Sequence, residues 1–167
     1  MDDRSTLLRE SAVAMSDAAV SRYEAFAALD LVLRRYPGHK LFTVLEIDWD
    51  RGENQRVYTS DPLGYPCGGV KRLLPDSEFF KRVVVEGTAR LCPDREACRR
   101  AFPDYALIES LGCESAINVP IRSQDSTIGS LNLLHQSGWY EPGMSSFLEP
   151  LAAMAATVLL RHKTSGH

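Results

Sequence analysis

The chain lacks the marks of several protein classes. No apolar run approaches about 18 residues, and no basic N-terminal stretch leads into an apolar one. The reading is a cytoplasmic protein without membrane contact. Its four cysteines (Cys67, Cys92, Cys98, Cys113) never fall in a Cys-x-x-Cys pair, which excludes zinc-ribbon and thioredoxin-type motifs. Four cysteines in 167 residues do not make a disulfide scaffold either. Positive charge is not in excess: 19 Lys and Arg stand against 22 Asp and Glu, a formal net charge of -3. The basic pairs, Arg34-Arg35, Lys71-Arg72, Lys81-Arg82 and Arg99-Arg100, are scattered, so no nucleic-acid partner is expected. Internal repeats and low-complexity segments are absent.

What is present suits one globular domain. A hydrophobic content of 44% with 25% charged residues is ordinary, and a chain this long buries a core without staples. The most organised stretch is Leu111 to His135. Two β-rich runs flank the polar residues Ser123 to Thr127, the pattern of a hairpin. Pairing Arg122 with Ile128 sets Asn118 opposite Asn132 and Pro120 opposite Ser130 on one face. Ile117, Val119, Leu131 and Leu133 then share the other. The apolar face predicts core; the half-polar face predicts a pocket floor.

Around this hairpin, residues 5–18 and 20–35 read as helices, the second with a stripe of Tyr23, Phe26, Ala27, Leu31 and Arg34. Leu41 to Trp49 and Arg56 to Ser60 read as strands joined by a turn. Residues 60–75 hold Pro62, Gly64, Pro66, Gly68 and Gly69, which predicts a binding loop or lid. A helix capped by Asp76 follows over 77–86, then a short strand over 88–92 and short helices over 93–100 and 105–110. The last helix spans 144–163, with a kink or fresh start at Pro150. Residues 1–18 form a spare helix, a candidate dimer element, before a domain over 19–163; residues 164–167 form a frayed tail.

This order, with "EGTARLCPD", "LGCESAINVPIRSQDSTIGSLNLLH" and "WYEPGMSSFLEPLAAMAATVLL", resembles the GAF domain, a sensory relative of the PAS fold. Ser115, Val119-Pro120, Ile128-Gly129 and Leu131 fall where GAF domains place a small residue, a Val-Pro pair and a Gly followed by aliphatics. The resemblance covers about residues 20–162 and implies an α+β fold. It implies a central antiparallel sheet, terminal helices on one face, and loops and short helices over a ligand on the other. It also implies a homodimer joined through the terminal helices. Ligand contacts are then expected from Asn118 and Asn132, with Tyr58, Ser60, Tyr65, Cys92, Cys113, Ser115 and Glu46 as secondary contributors.

The cyclic-nucleotide signature Asn-Lys-x-x-x-Phe-x-x-x-Asp-Glu is absent, and no cysteine precedes a histidine as in many bilin-binding members. No cofactor is assigned, metal included, and no catalytic residue. The expected function is a sensory module for an unidentified small molecule. One alternative is thiol chemistry, as an enzyme of the free methionine-(R)-sulfoxide reductase type or as a redox sensor, with Cys67, Cys92 and Cys113 in regions expected to border the pocket. Another is an interaction module with a vestigial pocket.

Overall fold

A computed structural model describes residues 3–164, with side chains to residue 161. Apart from Thr164, the expected tail therefore lies outside the described residues. In chain order the elements are α1 (Arg4–Ser16), α2 (Arg22–Arg35), β1 (Leu41–Asp48), β2 (Glu53–Thr59) and β3 (Val70–Arg72). A π-helical segment (Phe79–Val85) precedes β4 (Arg90–Cys92), α3 (Arg95–Ala101) and α4 (Tyr105–Ser110). The chain then forms β5 (Ser115–Ser123), β6 (Ser126–His135) and α5 (Ser145–Thr164). All six strands pair antiparallel in the order β3-β2-β1-β6-β5-β4.

The apolar face of the hairpin carries the main core. Ile117, Val119, Leu131 and Leu133 pack with Phe26, Leu29 and Leu33 of α2 and with Leu148, Leu151, Ala155 and Leu159 of α5. Pro150 lies within α5, which continues through it. The segment Pro142–Arg161 is long and apolar enough in composition to cross a membrane, yet its apolar stripe belongs to this core. Leu7, Ser11 and Met15 of α1 are buried against α2 and α5, so the first helix is built into the domain.

Two local readings of the helices are corrected. On α2 the buried residues are Ala25, Phe26, Leu29, Asp30, Val32 and Leu33, whereas Leu31 and Arg34 are exposed. That helix is touched by α1, α5 and β2, so its covered arc is wider than one stripe and rotated from it. The helix after residue 76 is not capped by Asp76; the Ser77 hydroxyl accepts from the Phe80 amide instead. Its backbone bonding includes an i to i−5 link from the Glu86 amide to the Lys81 carbonyl.

The hairpin closes more tightly than expected. Ser123 faces Ser126 and Arg122 faces Thr127, so Gln124 and Asp125 alone make the turn, Gln124 with φ of 55°. A bulge between Ile121 and Arg122 absorbs the difference, and Asn118 still faces Asn132 while Pro120 faces Ser130.

Candidate ligand-binding site

The opposite face of the sheet floors a cavity of about 350 Å³. Thr43 and Leu45 of β1, Asn54 and Arg56 of β2, Arg90 of β4, Asn118 of β5 and Asn132 and Leu134 of β6 all point into it. The roof comes from Tyr65, from Leu73 to Phe79, and from the α3–α4 junction with Phe102, Pro103 and Ile108. A smaller apolar cluster, including Cys92, Cys98, Cys113 and Ile108, backs the roof.

A row of cross-strand partners runs across this floor: Arg90 faces Asn118, Asn118 faces Asn132, and Asn132 faces Thr43. Hydrogen bonds follow the row. Arg90 Nε donates to Asn118 Oδ1 at 3.0 Å, and Asn118 Nδ2 donates to Asn132 Oδ1 at 2.9 Å. Asn132 Nδ2 reaches Thr43 Oγ1 at 3.3 Å, and Ser130 Oγ donates to Asn132 Oδ1 at 3.1 Å. The two asparagines thus find partners within the sheet, as buried amides must.

The end of the row is less well served. Arg90 is 2% exposed, and among the described residues the single hydrogen bond of its guanidinium is the one to Asn118. Its guanidinium lies 5.3 Å from the Phe79 ring centroid and 5.2 Å from that of Phe102. Each such contact contributes about 0.5–2 kcal/mol. Removing a cation from water costs several kcal/mol, so two rings and a neutral amide offset only part of it. Burial accordingly pulls the Arg90 guanidinium below its ordinary range, against the weaker pull of Cys92, Glu78 and Cys98.

Arg56 repeats the theme. It is 8% exposed, stacks 3.6 Å from the Tyr65 ring centroid and donates through Nη1 to the Pro66 carbonyl, while its buried Nε has no partner. Gly69 permits this approach, since a Cβ there would lie 2.9 Å from Nη1. Asn54 Oδ1 is also buried and unpartnered. Lys71, in contrast, is neutralised by Asp104 at 3.0 Å, which also accepts from the Tyr65 hydroxyl at 2.6 Å. Burial tends to raise Asp104, but those two donors and the lysine charge hold it below the usual carboxylate range. Burial first, and the bond to Asp104 next, push the Tyr65 hydroxyl up.

Of the residues expected from the sequence, Asn118, Asn132 and Tyr65 line the cavity. The placement of the other six is corrected. Glu46 follows Leu45 on the strand and so faces the helices, where it meets Arg22 at 3.0 Å. Tyr58 also lies on the helix side, donating to Asp30 at 2.6 Å. A bulge puts it there: Val44 faces Tyr58 but Leu45 faces Arg56, so Val57 is the extra residue and the faces exchange. The Ser60 hydroxyl accepts from the Phe42 amide, and Ser115 Oγ donates to the Gln136 carbonyl at 2.7 Å. Cys92 and Cys113 belong to the cluster behind the roof.

Thiol chemistry has little to work with in this cavity. Cys67 is exposed, the other three cysteines are buried, and none lines it. A hydrogen bond from Cys98 lowers Cys92 despite its burial, with the Arg90 charge helping, whereas burial pushes Cys113 up to about 11. Arg90, Arg56, Asn54, Thr43, Phe79 and Phe102 were not expected from the sequence. Arg90 comes to the floor through strand pairing: β4 sets Leu91 against Ile117, and that puts Arg90 beside Asn118.

A sheet with terminal helices on one face and a roofed cavity on the other defines an α+β architecture. The GAF domain family model matches residues 3–159, α1 included, and the chain belongs to that family, a small-molecule-binding and regulatory fold. Solved relatives share the fold at low identity. The GAF domain of an Acinetobacter phosphoenolpyruvate-protein phosphotransferase is 14% identical with a TM-score of 0.79, covering 100% of this chain and 99% of that one. The phycocyanobilin-bound GAF domain of a cyanobacterial phytochrome is 14% identical, TM-score 0.74, with all of both chains covered. Free methionine-R-sulfoxide reductase from Neisseria meningitidis, solved with its substrate, is 18% identical, TM-score 0.72, covering 98% and 95%. Among curated proteins there is no match.

Proposed function

We propose that this domain is a sensory module that binds a small molecule in the cavity over Asn118 and Asn132 and performs no chemistry on it. The observation that carries the reading is the cavity itself: about 350 Å³, floored by a polar row and walled by Leu45, Leu73, Phe79, Phe102, Ile108 and Leu134. Ligand sites have this character, mostly apolar with a few placed polar groups. A binding role is favoured over sulfoxide reduction because no cysteine lines the cavity. Asn118, Asn132 and Tyr65 are assigned as ligand contacts. The domain works as a homodimer through its terminal helices, a reading supported by Val13 and Leu31, which are 66% and 63% exposed on α1 and α2. Four free thiols support a reducing, cytoplasmic setting.

The test is a thermal-shift screen of the purified chain against a metabolite library, with native mass spectrometry of the hits. Compounds that stabilise the wild type should fail to stabilise Ala101→Trp, which fills the cavity from α3. A library without a hit, or hits indifferent to Ala101→Trp, would overturn the reading.

A further inference from the structure

The charge around the cavity is one-sided. Among the described residues, Arg56, Lys71, Arg72 and Arg90 line it and no Asp or Glu does. Lys71 is paired with Asp104, and Arg72 is exposed to solvent. Arg56 and Arg90 are both more than nine-tenths buried, and neither has a carboxylate at ion-pair distance among the described residues. Folded chains rarely keep two guanidinium groups out of water without an anion.

The geometry points to a small organic acid as the ligand, its carboxylate docked on Arg90 and its apolar body held under the roof. This rests on reading the cavity as a ligand site. Asn118 takes Nε of Arg90 and fixes the guanidinium plane, and the two Nη groups are left to form parallel bonds to one carboxylate. Phe79 and Phe102 stand beside the same guanidinium, so the head group would be held in a low-dielectric setting where the ion pair is strongest. Next to the charged end, Leu45, Leu73, Ile108 and Leu134 offer an apolar wall for the rest of the molecule. The unpartnered Asn54 Oδ1 adds an acceptor for a hydroxyl or amine carried on that body. Arg56 lies on the β2 side of the floor and raises the positive potential of the whole chamber.

Matched pairs of acid and amide test this directly, because they differ in charge and hardly at all in shape. Hexanoate and hexanamide, 3-phenylpropionate and its amide, and indole-3-acetate and its amide would be titrated calorimetrically into the full chain at neutral pH and fixed ionic strength. At least one acid should bind about tenfold or more tightly than its amide, the margin expected of a charge-assisted pair. In Arg90→Gln that preference should collapse, and in Ala101→Trp both members should stop binding. Amides that bind as tightly as their acids in every pair, or an acid preference that survives Arg90→Gln, overturn the inference. Where such an equally tight amide loses its binding in Ala101→Trp, the inference falls and the cavity reading stands. Failure of every pair overturns the inference, and failure of neutral library compounds as well removes the cavity reading with it. If circular dichroism shows Arg90→Gln to be unfolded, Arg56→Gln takes its place: a weakened acid preference supports a cationic chamber, and an unchanged one counts against it.

Discussion

Arg90 donates through Nε to Asn118 Oδ1 across the β4–β5 pair, and this 3.0 Å bond places a buried cation at the end of a row of side chains four strands wide. The bond has two effects. It relieves part of the cost of burying the guanidinium, and it orients Asn118 so that its amide nitrogen meets Asn132. The floor of the cavity is therefore one hydrogen-bonded unit, and its members do not act independently.

Breaking the row in the middle should cost more than breaking it at the end. Asn118→Leu leaves Arg90 Nε and Asn132 Oδ1 each short of a partner, although Ser130 Oγ still reaches the latter. Each buried orphan costs about 1–3 kcal/mol, so urea unfolding of Asn118→Leu should show a loss at the upper end of that range. Thr43→Val removes only a 3.3 Å contact to Asn132 Nδ2, which keeps the Ser130 carbonyl, and should lose about 1 kcal/mol or less.

The parts of this site legible in the sequence are those set by period-two alternation within one hairpin. Asn118 and Asn132 share a face because the register of β5 and β6 is pinned by apolar residues on the other face. The turn was shorter than expected, but the bulge at Ile121 kept the upstream register. Tyr58 shows the limit: one extra residue, Val57, moves it from the cavity face to the helix face, and no local signal marks that bulge. Arg90 sits in a strand of three residues, too short to show alternation alone. Phe79 and Phe102 reach it from a π-helical segment and from the residue after α3, contacts fixed only by tertiary packing. β3 was missed because its three residues form a sheet edge inside a segment rich in Gly and Pro.

Gly129 sits on β6 where the β1 backbone and Leu159 of α5 leave no room for a side chain. A Cβ at this position would lie 2.3 Å from the Leu45 carbonyl oxygen, a backbone atom that cannot swing aside. Gly129→Ala should therefore destabilise the fold by about 1–3 kcal/mol, with Leu45 displaced on the cavity side. Gly143, with nothing within 4 Å of its Cβ position, is the control; Gly143→Ala should stay within about 0.5 kcal/mol of wild type. Urea midpoints at equal slope for all three proteins measure both.

The dimer reading predicts a specific sensitivity. Val13 and Leu31 place exposed aliphatic surface on α1 and α2, and neither belongs to the core within one chain. If a second copy covers them, Leu31→Glu should convert a dimer to a monomer in light scattering after size exclusion, with little change in helical content. A wild-type chain that elutes as a monomer at tens of micromolar, or a Leu31→Glu variant that stays dimeric, would count against this interface.

The buried acid on the helix side predicts how the fold responds to acid. Burial alone would raise Asp30, but His39 Nε2 at 2.7 Å, the Tyr58 hydroxyl at 2.6 Å and Arg34 Nε at 3.2 Å outweigh it. The folded chain therefore holds Asp30 below the ordinary carboxylate value of 3.8. With the folded value below the unfolded one, the unfolded chain takes up its proton first as pH falls. The stabilisation is complete above the unfolded value and disappears as pH drops through the folded one. Asp104, lowered in the same direction by Tyr65 and Lys71, adds to the same limb. Urea midpoints measured from neutral pH downward should therefore fall steeply below about pH 4. Asp30→Asn keeps an acceptor for Tyr58 but has no carboxylate to titrate, so it should start less stable at neutral pH and lose less on acidification. A wild-type profile flat through this range, or an Asp30→Asn profile as steep as that of the wild type, would mean that the Asp30–Tyr58–His39 cluster does not couple to folding.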